Sequence, residues 1–543
     1  MQTVRYDRQI RLWGDQGQSS IESASVCMIG SSALSTEILK SLILAGIKSV
    51  FVIDSTFVTN PDVGNNFFIE QQQLGQMRAK VTTEWLKELN ASVRCEYDTR
   101  SVEQLVEDGH LEMLKRFAIV IATNLRERDA IVISDFLFDC NIPFLHARVF
   151  GFVGYIRICV KEHTIMNSHS ENVQPDVRLD APFAELEEMV DAIDLEALNY
   201  EEHSHIPYLL LYLKALKIWR QEVVHDKEAF PDEYKKRKSY ESVLMSLRRA
   251  NPETHSLDEE NFIEGRNALA RSMRSTTIPS NVHELFKNER CERLDESSSF
   301  WLLVSALKRF VLSEKVMPVT GQLPDMVSDS QRYIAIASLY RKYANSHAEK
   351  VFGYLQEILK ERGLSRDLIA FSECEFFCRN ASMISVQHGT TISQEIESKL
   401  ENILCDIRNA DLTPNPITGV PQIPPAIWYI LLRAVDRFHS EKGRYPGTNG
   451  VPCTIDSHDL KSRVVGLITD CQVVDVNEVL EKIRENVIDE MCRYGCAELH
   501  VIASLIGGIA SQEAIKLITH QYIPVNNTLI FDAHTQNSNT YQL

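Results

Sequence analysis

The chain has 543 residues, 44% of them hydrophobic, and a formal net charge of −18. That length is more than one core organises and predicts two to four domains. Acidic charge spread along the chain favours solubility and argues against nucleic-acid binding. No apolar run reads as long enough to span a bilayer, and the N-terminus opens polar and charged, so a soluble protein with no membrane attachment is expected, in the cytoplasm and nucleus.

The first elements come quickly. Ala24 to Ile29 is a short apolar strand ending at Gly30, Leu34 to Leu44 has helical spacing, and Val50 to Ile53 is a second strand ending at Asp54. This is a βαβ unit. Strand-like runs at Phe117 to Ala122 and Ile142 to Leu145 flank a helix predicted over Ala130 to Phe138, which fits a doubly wound, mostly parallel sheet of the Rossmann type. An apolar segment from Val149 to Val160 follows, with Gly151 and Gly154 inside it and strand-like alternation in its second half.

From about residue 164 the pattern becomes helical. Pro207 to Trp219 reads as a helix, Phe300, Leu303, Val304, Leu307, Phe310 and Val311 form an i, i+3, i+4, i+7 stripe, and Ala426 to Phe438 forms another helix before Gly443. Asn167 to Pro182 and Thr413 to Pro425 read as linkers. The α/β pattern then returns as a glycine-interrupted helix, Ala497 to Thr519, and strands at Thr528 to Phe531 and Thr540 to Leu543. The expected organisation is an α/β domain made of residues 1–163 and 484–543, with a helical domain of residues 164–483 inserted in it.

The twelve cysteines are scattered. The close pairs, Cys374 with Cys378 and Cys492 with Cys496, lack a second pair at zinc-ribbon spacing, so no metal site is expected and the thiols read as inert. His203 and His205 read as residues at the start of a helix rather than as metal ligands.

A first βα turn binds phosphate when glycines let backbone N–H groups approach the anion at a helix N-terminus. Here the turn is Gly30-Ser31-Ser32-Ala33-Leu34-Ser35, so only Gly30 survives of a G-x-G-x-x-G pattern, with Ser32 and Ser35 at the other glycine positions. Asp54, at the end of the second strand, is placed either to accept ribose hydroxyls or simply to close a turn.

Two distant strings identify the fold more closely: Tyr6-Asp7-Arg8-Gln9-Ile10-Arg11-Leu12-Trp13-Gly14, and Leu505-Ile506-Gly507-Gly508-Ile509-Ala510-Ser511-Gln512-Glu513-Ala514-Ile515-Lys516. Together they resemble the two ends of the adenylating fold of the ubiquitin-activating family. Active members carry N-x-x-R-Q-F, G-K-x-K-A and D-N strings after successive strands. Their matches here are eroded. Asn65 and Asn66 replace the arginine and glutamine, Gly75-Gln76-Met77-Arg78-Ala79 keeps a cation only at Arg78, and Asn124 replaces the aspartate linked to magnesium. An amide is a poor substitute for a carboxylate toward a hard cation.

The resemblance therefore implies a chain that binds no cofactor itself. ATP and magnesium belong to a catalytic partner subunit, which adenylates the ubiquitin-like modifier and carries the thioester cysteine. The arginine of Y-x-R-Q, here Arg8, is implied to reach the partner's ATP, with Arg11 a weaker candidate. The large helical insert, in the place of a cysteine domain, further resembles the noncatalytic branch of the family that acts in neddylation. The strings Val177-Arg178-Leu179-Asp180-Ala181-Pro182, His203-Ser204-His205-Ile206-Pro207 and Cys492-Arg493-Tyr494-Gly495-Cys496-Ala497-Glu498 agree with this. Two other readings remain open: a self-sufficient adenylating enzyme with Cys374, Cys378 or Cys405 as nucleophile, and a non-enzymatic helical scaffold.

Overall fold

Strand β1 (Ser25–Ile29) is apolar at every other position on both faces, because both faces are covered. Val26 and Met28 belong to one core and Cys27 and Ile29 to another. The computed structural model describes residues 5–170, 176–293, 298–414, 419, 422–472 and 476–543. They form two compact units, one discontinuous (Met1–His163 with Val386–Leu543) and one continuous (Thr164–Ser385).

The discontinuous unit opens with helix α1 (Asp7–Ser23), β1, helix α2 (Ala33–Ala45) and strand β2 (Ser49–Ile53). Helix α3 (Arg78–Leu89), β3 (Arg94–Asp98), β4 (Ile119–Thr123), α4 (Glu127–Asp139), β5 (Phe144–Phe150) and β6 (Val153–Cys159) follow. Short strands β7 (His163–Ile165) and β8 (Ser385–Gln387) form a two-stranded sheet where the chain passes between units. Helices α5 (Pro425–Lys442) and α6 (His500–Thr519) and strands β9 (Thr528–Asp532) and β10 (Asn537–Tyr541) complete the set used below.

The main sheet has eight strands in the order β10-β9-β6-β5-β4-β1-β2-β3. Strands β3 to β5 run parallel in the order 3-2-1-4-5, with Met28 of β1 opposite Val52 on one side and Ile121 on the other. Strands β6, β9 and β10 extend the sheet antiparallel. The order reverses between β1 and β4, so their carboxyl ends open the crevice where such sheets place ligands.

Helices α2 and α6 cover one face. Leu34, Ile38 and Leu42 of α2 and Ala503, Ile506, Ala510 and Ala514 of α6 share a core with Val26, Met28 and Ile121, and each fully buried Leu, Ile, Val or Met side chain contributes about 1.5–3 kcal/mol. Gly507 permits the close approach, since a Cβ there would lie 2.7 Å from Glu37 Cβ. Gly508 faces open space, so only one of the two adjacent glycines serves packing. Helix α6 also corrects an expectation. With a mean hydropathy of 1.5 over an 18-residue window it is long and apolar enough to cross a bilayer, but here its apolarity is used as the core helix of the sheet.

At three other places the structure adds to or changes what was expected. The apolar segment from Val149 to Val160 is the end of β5, a hairpin turn at Gly151 (φ +60°), where any Cβ would strike the Tyr494 ring, and β6, which carries the expected strand-like alternation. Strand β3 and helix α3 were not anticipated, because β3 is a half-exposed edge strand of sequence Arg-Cys-Glu-Tyr-Asp that lacks an apolar run. Finally, the chain rejoins the first unit at Val386 rather than at residue 484. Helix α5 explains why: its Trp428, Tyr429, Leu432 and Val435 share a core with Phe150, Val153, Ile530 and Tyr541 of the sheet.

The continuous unit is helical and has its own core. Tyr212, Trp219, Tyr240, Phe262 and Tyr340 are buried together, and all three phenols are satisfied by backbone carbonyls: Tyr212 Oη donates to Gly265 O, Tyr240 Oη to Tyr212 O at 2.8 Å and Tyr340 Oη to Val177 O at 2.5 Å. The stripe from Phe300 to Val311 lies on helix Ser299–Glu314 with all six residues buried. Both predicted linkers fall partly outside the described residues, at 171–175 and at 415–418 and 420–421.

Candidate functional site

The turn after β1 carries the weakened glycine pattern. Gly30 has φ +96°, and a Cβ there would lie 2.7 Å from Thr123 Oγ1 of β4, so the turn closes tightly on the neighbouring strand. The side chains that replaced glycines bond among themselves: Ser35 Oγ donates to Ser32 O at 3.1 Å and lies 3.2 Å from Ser32 Oγ, and Thr123 Oγ1 donates to Ser35 Oγ at 3.3 Å. Ser31 Oγ donates to Thr82 Oγ1 at 2.7 Å. Ala33 starts α2 and is buried.

The crevice at the β1–β4 reversal contains a carboxylate of the chain itself. Glu498 Oε2 accepts from the Leu34 N–H in the first turn of α2 at 3.2 Å. Its Oε1 accepts from Asn124 Nδ2, at the end of β4, and its backbone carbonyl accepts from Asn65 Nδ2 at 3.1 Å. Asn124 adopts the left-handed conformation, φ +51°, that asparagine tolerates. Glu498 is positioned by a backbone bridge to Gly151, whose N–H donates to Ala497 O at 2.8 Å. Burial pushes the Glu498 carboxyl above the ordinary carboxylate range, while hydrogen bonds from Ser32, the Leu34 N–H and Asn124, with the charge of Arg78, oppose that rise.

The remaining expected residues are also committed inside the fold. Arg78 reaches Asp54 Oδ2 at 2.9 Å and Asp62 Oδ1 at 3.0 Å, so two carboxylates neutralise it. Asp54 Oδ1 meanwhile accepts from the Thr56 N–H at 2.8 Å and the Thr56 hydroxyl at 2.6 Å, leaving its carboxylate as a turn and ion-pair residue. Asn66 is buried, and its Oδ1 accepts from Thr36 Oγ1 at 3.2 Å and the Phe68 N–H at 3.0 Å. ATP with magnesium does not fit this donor set. The cation is already paired, the metal position is an amide bonded to Glu498, and a negative charge stands at the helix N-terminus where a phosphate would have to approach.

Arg8 is different. It lies exposed on the first turn of α1, and among the described residues it makes no ion pair or hydrogen bond. Arg11, the weaker candidate, is held to Asp7 at 3.1 Å. Tyr6 anchors the start of α1: it is buried, and its Oη accepts from Asn90 Nδ2 at 3.2 Å. Trp13 and Gln521 fix the middle, the Gln521 amide donating to Trp13 O at 2.9 Å.

Two of the three thiols nominated as nucleophiles are shut inside the fold. Cys374 and Cys378 are buried, and the adjacent Cys374 together with burial raises the Cys378 thiol well above the normal range. Cys405 is exposed, with Asn409 Nδ2 3.2 Å from its sulfur. His203, in the last turn of the short helix Tyr200–Ser204, has its Nδ1 2.6 Å from the buried carboxylate of Glu259, the N-cap of helix Glu260–Ser272, so the two form a structural pair. Among the described residues no group of three His, Cys, Asp or Glu side chains is arranged to hold a metal ion.

Sequence reasoning missed Glu498 and Asp62. Glu498 lies 464 positions from its partner Leu34, and its only local signal is the polar Glu498 immediately before an apolar glycine-rich helix.

A parallel 3-2-1-4-5 sheet with an antiparallel extension and a tight βα turn at its order reversal defines an adenylation-type α/β protein. Comparison with known proteins agrees. The ThiF family matches residues 6–543. A "NEDD8-activating enzyme E1 regulatory subunit" of Caenorhabditis elegans is 44% identical over 99% of both chains. A protein of the same name from Xenopus laevis is 38% identical over 99% of this chain and 98% of its own. The "NEDD8-activating enzyme E1 regulatory subunit AXL" of Arabidopsis thaliana is 32% identical over 99% of each. The chain belongs to the ThiF family, in the branch formed by these regulatory subunits.

Proposed function

We propose that this chain is the noncatalytic, regulatory subunit of a heterodimeric enzyme that activates NEDD8, the ubiquitin-like modifier in its relatives' names. In this reading the partner subunit binds ATP and magnesium, adenylates the C-terminal carboxylate of the modifier with release of pyrophosphate, and supplies the thioester cysteine. This chain holds part of the modifier and completes the partner's ATP site with Arg8. The observation that carries the reading is a contrast in charge. The cation inside this chain's own crevice, Arg78, is neutralised by Asp54 and Asp62, whereas Arg8 stands exposed on an anchored helix and has no ion-pair partner among the described residues.

A guanidinium suits this role, since it stays charged and presents forked donors to phosphate oxygens. Arg8→Ala is expected to slow pyrophosphate exchange by the heterodimer by about 10–1000-fold, the scale of losing one charge-assisted donor to the reacting phosphate. Arg8→Lys should recover only part of the rate, because it keeps the charge and loses the fork. Gel filtration should show unchanged assembly, since one exposed side chain rarely decides a large interface. Full exchange activity in Arg8→Ala would remove Arg8 from the chemistry.

A further inference from the structure

Three donors from three separate segments converge on one residue near the C-terminus: the Leu34 N–H of the β1–α2 turn, the Asn124 amide at the end of β4, and the Asn65 amide of the short helix Asn60–Asn65. Two of them bind its carboxylate oxygens. The spot is the N-terminus of a 13-residue helix at the order reversal of a parallel sheet, where aligned backbone dipoles favour an anion. A solvent-facing glutamate would gain little there. Glu498 is instead buried and seated by its own backbone bridge to Gly151, so the fold holds this one anion in place.

We propose that Glu498 is the resident anion of an eroded phosphate pocket: its carboxylate takes the place of a nucleotide phosphate at helix α2 and closes this half of the fold to nucleotide. The inference rests on the reading that this chain does not itself adenylate, and it adds the residue responsible. The glycines and the metal position are eroded, yet the Leu34 N–H and the Asn124 amide that stands in the metal position both face an anion. Removing the carboxylate leaves the Leu34 N–H and the Asn124 amide without an acceptor, beside a helix N-terminus without a counter-charge. Inorganic pyrophosphate, with several negative oxygens, matches that vacancy in charge and in acceptor chemistry.

The test uses the full chain without its partner, so it can fail while the heterodimer exchange assay stands, and the reverse. Thermal unfolding midpoints of the wild type, Glu498→Ala and Glu498→Ser are measured against rising pyrophosphate, with sodium chloride holding ionic strength constant. The wild-type midpoint should stay flat. The midpoint of Glu498→Ala should rise by roughly 3–10 °C once pyrophosphate is far above its Kd. Glu498→Ser, whose hydroxyl can satisfy one abandoned donor, should respond in the same direction and carries the test alone if the alanine variant does not fold. An equal rise in wild type and variants would place the anion elsewhere. A flat response in a folded variant would show that the pocket is not an anion site, and either result overturns the proposal.

Discussion

Arg78 and His146 show how the same burial gives opposite outcomes for two basic side chains. Arg78 keeps its charge because Asp54 and Asp62 surround it. His146 does not. It is buried between Phe144 and Tyr155, its Nε2 has no hydrogen-bond partner among the described residues, and burial, with the nearby Arg148 cation, lowers its imidazole to about 3. An unfolded imidazole titrates near 6.5, so between those values the unfolded chain takes up a proton that the folded chain refuses. The stabilisation is therefore present above about pH 6.5 and is lost as pH falls toward 3, reaching about 2 kcal/mol by pH 5. Glu127, across the same small cavity, has its carboxyl raised by burial and contributes with the opposite sign, so the comparison must be with a variant. Urea denaturation should show that His146→Gln loses about 2 kcal/mol less than wild type between neutral pH and pH 5. Equal losses would mean that His146 is already charged in the fold.

Helix α6 holds two adjacent glycines with opposite surroundings. A methyl group at Gly507 must fit 2.7 Å from Glu37 Cβ and 3.3 Å from the Ile38 backbone nitrogen, which forces α2 and α6 apart. At Gly508 it meets nothing within 4 Å. Gly507→Ala should therefore cost about 1–3 kcal/mol through overpacking, while Gly508→Ala should stabilise the isolated chain by about 0.5–1 kcal/mol through helix propensity. Chemical denaturation of the two variants measures both, and similar effects would mean that helix packing does not separate the positions. The sequence made the helix itself legible, because its apolar residues recur at helical spacing, but it made the two glycines look alike. Elements with a strong apolar period, such as β1, α2, β4 and α5, were readable to within a few residues. Strand β3 was not, since an edge strand needs to bury little and its charged residues hide the alternation. The eroded motifs could be read residue by residue, yet what fills the crevice could not. Nothing local to Glu498 records that Leu34, Asn65 and Asn124 surround it.

At the scale of the whole chain, the helical unit is continuous in sequence and has a separate aromatic core, whereas the sheet unit is assembled from both ends. A fragment of residues 164–385 should therefore fold alone, with a helical circular dichroism spectrum and one cooperative unfolding transition. A fragment that stays unfolded would mean that its core depends on the flanking sheet. The split also sets an order of events during synthesis. Strands β1 to β6 leave the ribosome early, but the neighbours that cover β6, namely α6 and β9, are encoded far downstream. At ribosomal speeds the intervening stretch takes on the order of tens of seconds to make. For that interval the β6 edge and the apolar face awaiting α6 have no partner from their own chain, which is the state in which strand edges recruit the wrong one. Leu543 is tied in next to β9 as well: its N–H donates to Asn527 Oδ1 at 3.0 Å, and its carbonyl accepts from Asn527 Nδ2 at 2.8 Å. A chain that stops before helix α6 would thus carry a finished helical unit attached to an open sheet, a defect for protein quality control to find rather than a slightly shortened subunit.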